Sequence, residues 1–321
     1  QGQPAPGFRC QKARKERICI MDKILRTITS DGSLMASAVD SSQIVYTAQR
    51  IHGLSKTACA ALGRLLTGAS LMGNQLKTEG ASLTLKVNGG GPLGNLVAIS
   101  DAHGNVRGYV DHPEVELPLK PNGKIDVGGG VGNQGRLAVI RDLGEKEPYI
   151  GQVELISGEI AEDLTNYYAS SEQVPTVCAL GVLVDKEKGE AMLSGGLLIQ
   201  ALPGADNAAL DRLERNIAKL DSVTTMLAKG LTPEEMCRAA LEGFEVEILD
   251  QAPVHYVCNC SKERFARGLL TLGSRELLSL HGDEREEVET VCHYCNKKYV
   301  FTKAEIADLA RQAAQAEKNN S

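Results

Sequence analysis

The sequence contains no tryptophan, only 4 phenylalanines and no long apolar run. Its core must therefore be built mainly from Leu, Ile, Val and Ala. A membrane-spanning helix needs about 20 consecutive apolar residues, and no stretch approaches that length, so we expect no membrane partner. An excess of positive charge is also missing. The formal net charge of −6 argues against general binding to nucleic-acid phosphates or anionic membranes.

The first twenty residues have neither the apolar segment of a secretory signal nor the patterning of the remaining chain. They contain prolines, glycines and a cluster of basic residues, and position 1 is not Met. Patterned sequence begins at Met21, which we take as the natural start. Residues 1–20 are therefore expected to form a disordered upstream or vector-derived extension, with a basic transit peptide as the alternative.

Between residues 21 and 203 the pattern is mixed. Helical spacing of apolar residues predicts a helix over 54–76, with a possible interruption near Gly68, and a second helix around 159–170. Alternation and short apolar runs predict strands at 82–87, 96–100, 106–110, 137–140, 149–156, 177–184 and 191–200. Strands grouped in this way fit an α+β fold better than an alternating parallel α/β fold, and they predict a β-rich N-terminal domain.

Residues 204–253 have a different pattern. Leucines and an isoleucine at heptad-like spacing predict one amphipathic helix that is ended by Gly230. Thr232, followed by Pro and then Glu at the third helical position, predicts the start of a second, short helix. Both helices must pack their apolar faces on another part of the protein. We therefore expect a helical linker between a domain at 21–203 and a cysteine module at 254–321. Within the module, Thr302 followed by Glu305 predicts another capping box, at the start of a terminal helix.

Four of the nine cysteines form two close pairs near the C-terminus, Cys258-x-Cys260 and Cys292-x-x-Cys295. Four soft thiolates on two segments suit a tetrahedral zinc ion. His255 and His293 could substitute as ligands, although four thiols already complete the shell. An iron–sulfur cluster and four unligated buried cysteines are the alternatives. The isolated residues Cys59, Cys178 and Cys237 are expected to be small buried hydrophobes.

The cysteine spacing leaves the purpose of the zinc site open. The two sulfurs of a Cys-x-Cys pair lie close enough for a strained disulfide, and Cys292 and Cys295 can also form one. Flanking cations at positions 262, 264, 297 and 298 would favour the thiolate form. Nine cysteines without a signal peptide indicate a reducing compartment. The site is therefore interpreted either as a structural zinc site or as a zinc-held redox switch.

Two glycine-rich segments, at 89–94 and 130–135, match the spacing of a dinucleotide-binding motif. That motif requires a helix N-terminus directly after the glycines. Both segments are instead followed by predicted strands, which indicates turns rather than a nucleotide site. No catalytic constellation is present, and we expect the protein not to be an enzyme.

The two cysteine pairs, in the contexts Cys258-Asn259-Cys260-Ser261 and Cys292-His293-Tyr294-Cys295, resemble the zinc centre of the thirty-three-kilodalton heat-shock family of redox-regulated bacterial holdase chaperones. Further similarity lies in the segments 89–94, 128–132, 151–155 and 157–163. The resemblance extends in order from about Met21 to the terminal helix. Only the N-terminal extension departs from the family pattern.

The resemblance implies a cytoplasmic chaperone that works without ATP and is inactive while reduced and zinc-bound. Oxidation would pair Cys258 with Cys260 and Cys292 with Cys295, release zinc, and unfold both the zinc module and the redox-responsive linker at 204–253. The oxidised protein would form a homodimer and bind unfolded or oxidatively damaged client proteins during oxidative or heat stress.

The physical chemistry of the module supports this interpretation. Zinc binding to thiolates supplies roughly 10–16 kcal/mol in small modules, which is largely their folding free energy. Two other classes remain as alternatives. A thiol–disulfide oxidoreductase would use one Cys-x-x-Cys pair and has no need of the second. A zinc-ribbon nucleic-acid adaptor would need a basic face, whereas residues 283–287 place acidic side chains beside the module.

Overall fold

The structure, a computed structural model, describes residues 21–145, 147–281 and 286–319. Residues 1–20, for which a disordered extension is predicted, lie outside the described residues. The chain divides into two compact units, one ending at Val257 and the other beginning at Cys258. Across the described ranges, no helix combines the length and the apolar character that crossing a membrane requires.

The first unit contains two five-stranded antiparallel sheets. The first sheet has the order β10-β1-β2-β9-β8 and the second has the order β5-β4-β3-β6-β7. The strands are β1 (Lys23–Thr29), β2 (Leu34–Asp40), β3 (Ser82–Asn88), β4 (Leu96–Asp101), β5 (Val106–Val110), β6 (Arg136–Asp142), β7 (Tyr149–Glu154), β8 (Thr176–Val184), β9 (Ala191–Ala201) and β10 (Val246–Pro253).

Because the sheets are antiparallel and helices cover them, the predicted α+β class is confirmed. In the first unit the helices are α1 (Ser42–His52), α2 (Lys56–Gly73), α3 (Val127–Val131), α4 (Ala161–Tyr167), α5 (Asn207–Ile217), α6 (Val223–Ala228) and α7 (Pro233–Ala240). A π-helical turn, Tyr168–Glu172, continues α4. All the strands predicted between 82 and 200 are present, with bounds that agree to within two residues.

Helix α2 forms the centre of the main core, which it shares with side chains of both sheets. Its N-terminus is capped by Ser55, whose hydroxyl accepts a hydrogen bond from the Ala58 N–H at 3.1 Å. The helix is not interrupted at Gly68. A Cβ at that position would lie 2.7 Å from Leu164 Cδ1, so the glycine is explained by close packing of α4 rather than by a break.

The two glycine-rich segments lie against each other. The Gly91 N–H donates to the Val131 carbonyl at 2.9 Å, and the Leu93 N–H donates to the Gly130 carbonyl at 3.0 Å. A Cβ on Gly91 would lie 2.5 Å from the Gly130 oxygen. Close approach of two backbones therefore accounts for these glycines. The segments continue into β4 and β6, as the sequence predicts.

The start of α4 is organised by the buried carboxylate of Asp163. Its Oδ1 accepts backbone N–H groups from residues 156, 157 and 158, and its Oδ2 accepts the N–H of Ile160 at 3.0 Å. These contacts satisfy backbone donors that a helix start otherwise leaves without partners. The conspicuous segment 157–163 is thus a capped helix start.

The first sheet is buried on both faces. On β1, Ile24 belongs to the main core with α2, whereas its neighbour Leu25 belongs to a second apolar cluster with α5–α7. The same alternation places Leu198 of β9 in the main core and Leu197 in the second cluster. We call this second cluster the outer core, because it lies on the sheet face opposite α2.

The segment 204–253 differs from the prediction in two ways. The predicted single helix is two helices, because Ser222 caps a new one by accepting the Thr225 N–H at 3.3 Å. A heptad-like pattern cannot distinguish one helix from two that share an apolar face. The segment also contains β10, which pairs with β1 at the sheet edge. The predicted capping box of Thr232 at the start of α7 is confirmed.

Helices α5–α7 pack on the first sheet. Leu213 and Leu227 are buried in the outer core, and Leu210, Ile217 and Leu220 pack against it. The leucines and the isoleucine at heptad-like spacing therefore do form one buried surface. That surface is covered by β1, β2 and β9 of the same unit.

Candidate metal centre

The second unit consists of short elements around the four clustered cysteines. They are α8 (Lys262–Leu270), α9 (Ser274–His281), the hairpin of β11 (Glu287–Val291) and β12 (Lys298–Thr302), and the terminal helix α10 (Lys303–Asn319). The predicted capping box at the start of α10 is present, since Thr302 and Glu305 exchange backbone and side-chain hydrogen bonds.

Local backbone geometry places each cysteine pair. Cys258 and Cys260 lie on the segment that enters α8. Cys292 and Cys295 lie on the turn that joins β11 to β12. There the N–H groups of Cys295 and Asn296 donate to the Cys292 carbonyl, at 3.3 and 2.8 Å. Asn296 closes this turn in the left-handed region at φ 55°.

The structure brings the four predicted thiols together. All four Sγ atoms lie within 4.8 Å of one another. The Cys258 and Cys292 sulfurs are 3.7 Å apart, and those of Cys260 and Cys295 are 3.3 Å apart. A tetrahedral ion with Zn–S bonds of about 2.3 Å requires sulfurs about 3.8 Å apart. The cluster therefore has the donor set and the spacing to hold a metal ion.

Neither histidine near the cluster belongs to it. Over the described residues, the four cysteines are the only group of three or more His, Cys, Asp or Glu donors close enough to share an ion. The backbone of His255 is engaged with the first unit, because its N–H donates to Asn105 Oδ1 at 3.1 Å. Four thiols without nitrogen or oxygen donors form the expected shell for a soft cation.

Tyr299 contacts the thiol cluster, which the sequence does not reveal. Its hydroxyl lies 3.0 Å from the Cys260 carbonyl oxygen and 3.2 Å from Cys260 Sγ, and can donate to either. Burial acts to raise the pKa of Cys260, but hydrogen bonds from Tyr299 and the neighbouring thiols outweigh it and lower the pKa to about 7. In contrast, burial raises the pKa of Cys258 and Cys295.

The cations that flank the cysteines have other partners. Lys262 pairs with Glu305 at 2.6 Å, and Lys298 pairs with Glu289 at 3.0 Å. Arg264 donates to the Asn259 carbonyl, and Lys297 lies over the Tyr299 ring. The expectation that these four cations favour the thiolates directly is therefore not supported by their contacts. Hydrogen bonds from Tyr299 and the neighbouring thiols lower the pKa of one of the four thiols, Cys260.

We expect Tyr299→Phe to weaken metal binding about tenfold, because partners of a ligating atom typically contribute 10–100-fold to affinity. The variant removes one hydroxyl and keeps the ring that packs on Phe265 at 5.1 Å. Competition with a chromophoric chelator measures the change. Tyr149→Phe, in the first unit, is the control. Equal affinities of the wild type and the Tyr299 variant would contradict the role assigned to this hydroxyl.

Little apolar packing supports the metal centre. The core of the second unit is a small cluster around Leu277, Phe301 and Ile306, and no residue of α8 is buried. The β11–β12 sheet has only two strands, which are marginally stable alone. A bound ion would therefore supply a large part of the stability of this unit.

Two of the three isolated cysteines are buried as predicted. Cys59 and Cys237 are fully buried, whereas Cys178 is half-exposed on β8, where it packs against the main core. Burial raises the pKa of each of these thiols to about 12. Protonated thiols of this kind are poor nucleophiles. Among the described cysteines, the one thiol whose pKa is lowered, Cys260, belongs instead to the four-thiol cluster.

The fold and the site define a class: an α+β protein whose C-terminal unit carries a four-cysteine cluster able to hold a metal ion. The Hsp33 protein family matches residues 22–302. Curated relatives named 33 kDa chaperonin include those of Bacillus licheniformis, 45% identical over 90% of this chain and 99% of the relative, and Acetivibrio thermocellus, 44% identical over 90% and 97%. The chain belongs to the Hsp33 family, and its function is that of a chaperone.

A solved structure agrees with this assignment. The crystal structure of the 33 kDa chaperonin (heat shock protein 33 homolog) from Thermotoga maritima matches with a TM-score of 0.84 and 35% identity. The match covers 92% of this chain and 99% of that chain. The fold is therefore shared with a solved member of the family, and the match includes residues of both units.

Proposed function

We propose that the protein is an ATP-independent holdase whose client binding is switched on by oxidation of a zinc-bound cysteine cluster. The observation that carries this proposal is the convergence of four thiols, within 4.8 Å of one another, in a unit with little other core. Zinc, when bound, would hold the four thiolates and thereby the fold of the unit. The proposed ligands are Cys258, Cys260, Cys292 and Cys295.

The switch follows from thiol chemistry. A thiolate attacks peroxide, which gives a sulfenic acid and hydroxide; a neighbouring thiol then displaces water to form a disulfide. We propose the pairs Cys258–Cys260 and Cys292–Cys295, as the family resemblance implies. Each disulfide removes two ligands from the metal shell. One such event would therefore leave half a shell and a much lower affinity for zinc.

Loss of the ion would unfold the second unit and loosen the segment before it. We propose residues 204–253 as the redox-responsive linker. The helices of this linker are short, and α5 buries only Ala209 and Leu213. The linker therefore has little stability of its own. Release of α5–α7 would expose the outer core, including Leu25 and Leu197 of the first sheet. An apolar surface of this kind suits unfolded or oxidatively damaged clients.

We place the protein in the bacterial cytoplasm, where thiols are kept reduced until stress occurs. The oxidised form would act as a homodimer, without enzymatic turnover and without a nucleic-acid or membrane partner. The net charge of −6 supports the absence of a phosphate-rich partner.

Zinc content measured before and after peroxide, together with light scattering of a heat-unfolding enzyme, tests the proposal. We expect one zinc per chain in the reduced protein, loss of zinc on oxidation, and suppression of scattering only by the oxidised form. Equal suppression of scattering by the reduced, zinc-loaded form would show that the site has only a structural role. Catalytic reduction of insulin disulfides would favour an oxidoreductase instead.

A further inference from the structure

The edge strand β8 differs from the other edges of the two large sheets. Over residues 176–184 it contains no charged residue and no proline. The opposite edge, β10, carries Glu247, Asp250 and Pro253, while β5 carries Arg107 and β7 carries Glu154. Natural sheets protect their edges with charges, prolines and covering elements, because unpaired backbone groups recruit other strands. β8 lacks these side-chain safeguards.

β8 is exposed along its backbone edge and not on either face. Val177 and Ala179 pack against the outer core, whereas Cys178, Leu180 and Val182 pack against the main core. Both faces of the strand are therefore in contact with the protein. Residues 176–182 are nevertheless all half-exposed, and within its sheet β8 pairs only with β9. Over the described residues, the backbone groups directed away from β9 have no strand partner.

A groove of about 520 Å³ runs beside the C-terminal half of β8. Its walls are the first turns of α2, the loop 116–125 and the start of α6. The lining is largely apolar and includes Leu119, Ile125, Leu180, Val182 and Val223. An extended chain placed in this groove could hydrogen bond to β8 and insert alternate side chains among these residues.

The rim of the groove is positively charged. Lys56 pairs with Glu116 at 3.3 Å, and Arg64 pairs with Glu159. Lys124 and Lys186 also line the groove, and in the described part of the chain neither has an acidic partner. This local charge is opposite in sign to the net charge of −6. An occupant with acidic residues beside its apolar ones would complement the rim.

We propose that β8 and this groove bind extended, apolar-acidic segments of unfolding client proteins by adding a strand to the first sheet. The inference rests on the proposed holdase function and names the chemistry of the segment bound. Main-chain hydrogen bonding is independent of sequence, which suits a protein that must bind unrelated chains. Specificity for unfolded clients follows because folded proteins rarely offer an unpaired extended segment.

One wall of the groove connects it to the redox-responsive linker. At Gly181 of β8, an added Cβ would lie 2.8 Å from Thr224 Cγ2, so the start of α6 lies directly on the strand. Release of α5–α7 after oxidation would remove this wall. The β8 edge would then become accessible over its full length, whereas in the reduced form α6 narrows the groove.

The test uses a charge placed on the strand. Leu183 is 37% exposed, and Leu183→Lys introduces the residue that natural edges use for protection. The matched control is Ile150→Lys on the edge strand β7, where the side chain is 54% exposed. The probe is reduced, carboxymethylated α-lactalbumin, a permanently unfolded acidic protein. Fluorescence anisotropy with the oxidised full chain measures the Kd of this probe, and hydrogen exchange identifies the residues that it contacts.

We expect Leu183→Lys to raise the Kd about tenfold and Ile150→Lys to leave it unchanged. The double variant Lys124→Glu, Lys186→Glu should also weaken binding, and the probe should protect amides of residues 177–183. Equal Kd values for all variants, with wild-type binding intact, would overturn the β8 site and leave the holdase proposal standing. No binding by oxidised wild type would overturn both. Loss of dimerisation in Leu183→Lys, without amide protection by the probe, would assign the edge to a second copy of the chain.

Discussion

Oxidation of the zinc-loaded protein by hypochlorous acid is expected to abolish hydrogen-exchange protection over residues 258–302. In the same sample, protection should fall partially over 207–240 and persist in α2 and β9. The reason for complete loss in the second unit is its thin core. Zinc contributes roughly 10–16 kcal/mol in modules of this kind, and the small cluster around Leu277, Phe301 and Ile306 cannot replace that stabilisation.

The partial loss over 207–240 has a different origin. Helices α5–α7 are packed on the first sheet through the outer core, so part of their stability does not depend on the metal centre. Short helices nevertheless depend on every contact they make. The segment also continues through β10 to Cys258, where the second unit begins. Unfolding of that unit would therefore leave the C-terminal end of the segment without an attachment. Graded protection distinguishes this arrangement from one cooperative unit.

Mass-spectrometric hydrogen exchange on reduced and oxidised samples at the same zinc loading provides the measurement. Reduction with dithiothreitol in the presence of zinc should restore protection, which controls for irreversible damage. Unchanged protection over 258–302 after quantitative disulfide formation would show that the metal does not stabilise the unit. Loss of protection in α2 as well would show that the two units unfold together.

Cys292→Ser is expected to lower the zinc content well below one ion per chain and to unfold the second unit without any oxidant. A serine hydroxyl is a poor ligand for zinc at neutral pH, so the variant removes one of four thiolates. Cys292 is also the most buried member of the cluster, at 4% exposure, and its backbone carbonyl accepts two hydrogen bonds of the turn. The substitution therefore removes a ligand at the turn that joins β11 to β12 and keeps the backbone hydrogen bonds of that turn.

Two matched variants serve as controls for this prediction. Cys178→Ser makes the same replacement on β8, outside the metal cluster, and should retain zinc. His293→Gln changes the histidine inside the Cys-x-x-Cys turn and should also retain zinc. Metal content by inductively coupled plasma mass spectrometry and near-ultraviolet circular dichroism are the measurements. Zinc loss in His293→Gln would replace the four-thiolate assignment with a mixed shell.

The oxidation experiment and the Cys292→Ser variant together separate the effect of metal loss from that of disulfide formation. If the zinc-free Cys292→Ser protein suppresses client aggregation while still reduced, then unfolding of the second unit is sufficient for activity. If it unfolds but remains inactive, then the disulfides themselves are needed to keep the linker released. Either result identifies the step at which oxidation is converted into client binding.

The sequence by itself determined those features that depend on near neighbours. Two close cysteine pairs define a soft four-donor site because the residue types and spacings are sufficient. Thr232 and Thr302 mark helix starts because a cap is a contact over three residues. The strands between 82 and 200 follow from local alternation. Family membership was also visible from these motifs taken together.

Only the tertiary structure decided which distant groups meet. Tyr299 reaches Cys260 from β12, a contact across 39 positions that no local pattern announces. Two of the cations beside the cysteines, Lys262 and Lys298, pair with distant acids, and β10 joins β1 from the far end of the first unit. The split between α5 and α6 leaves the apolar spacing intact, so periodicity could not reveal it. The uncharged strand β8 was predicted as a strand, but its position at a sheet edge is set by pairing, which the sequence of one strand does not encode.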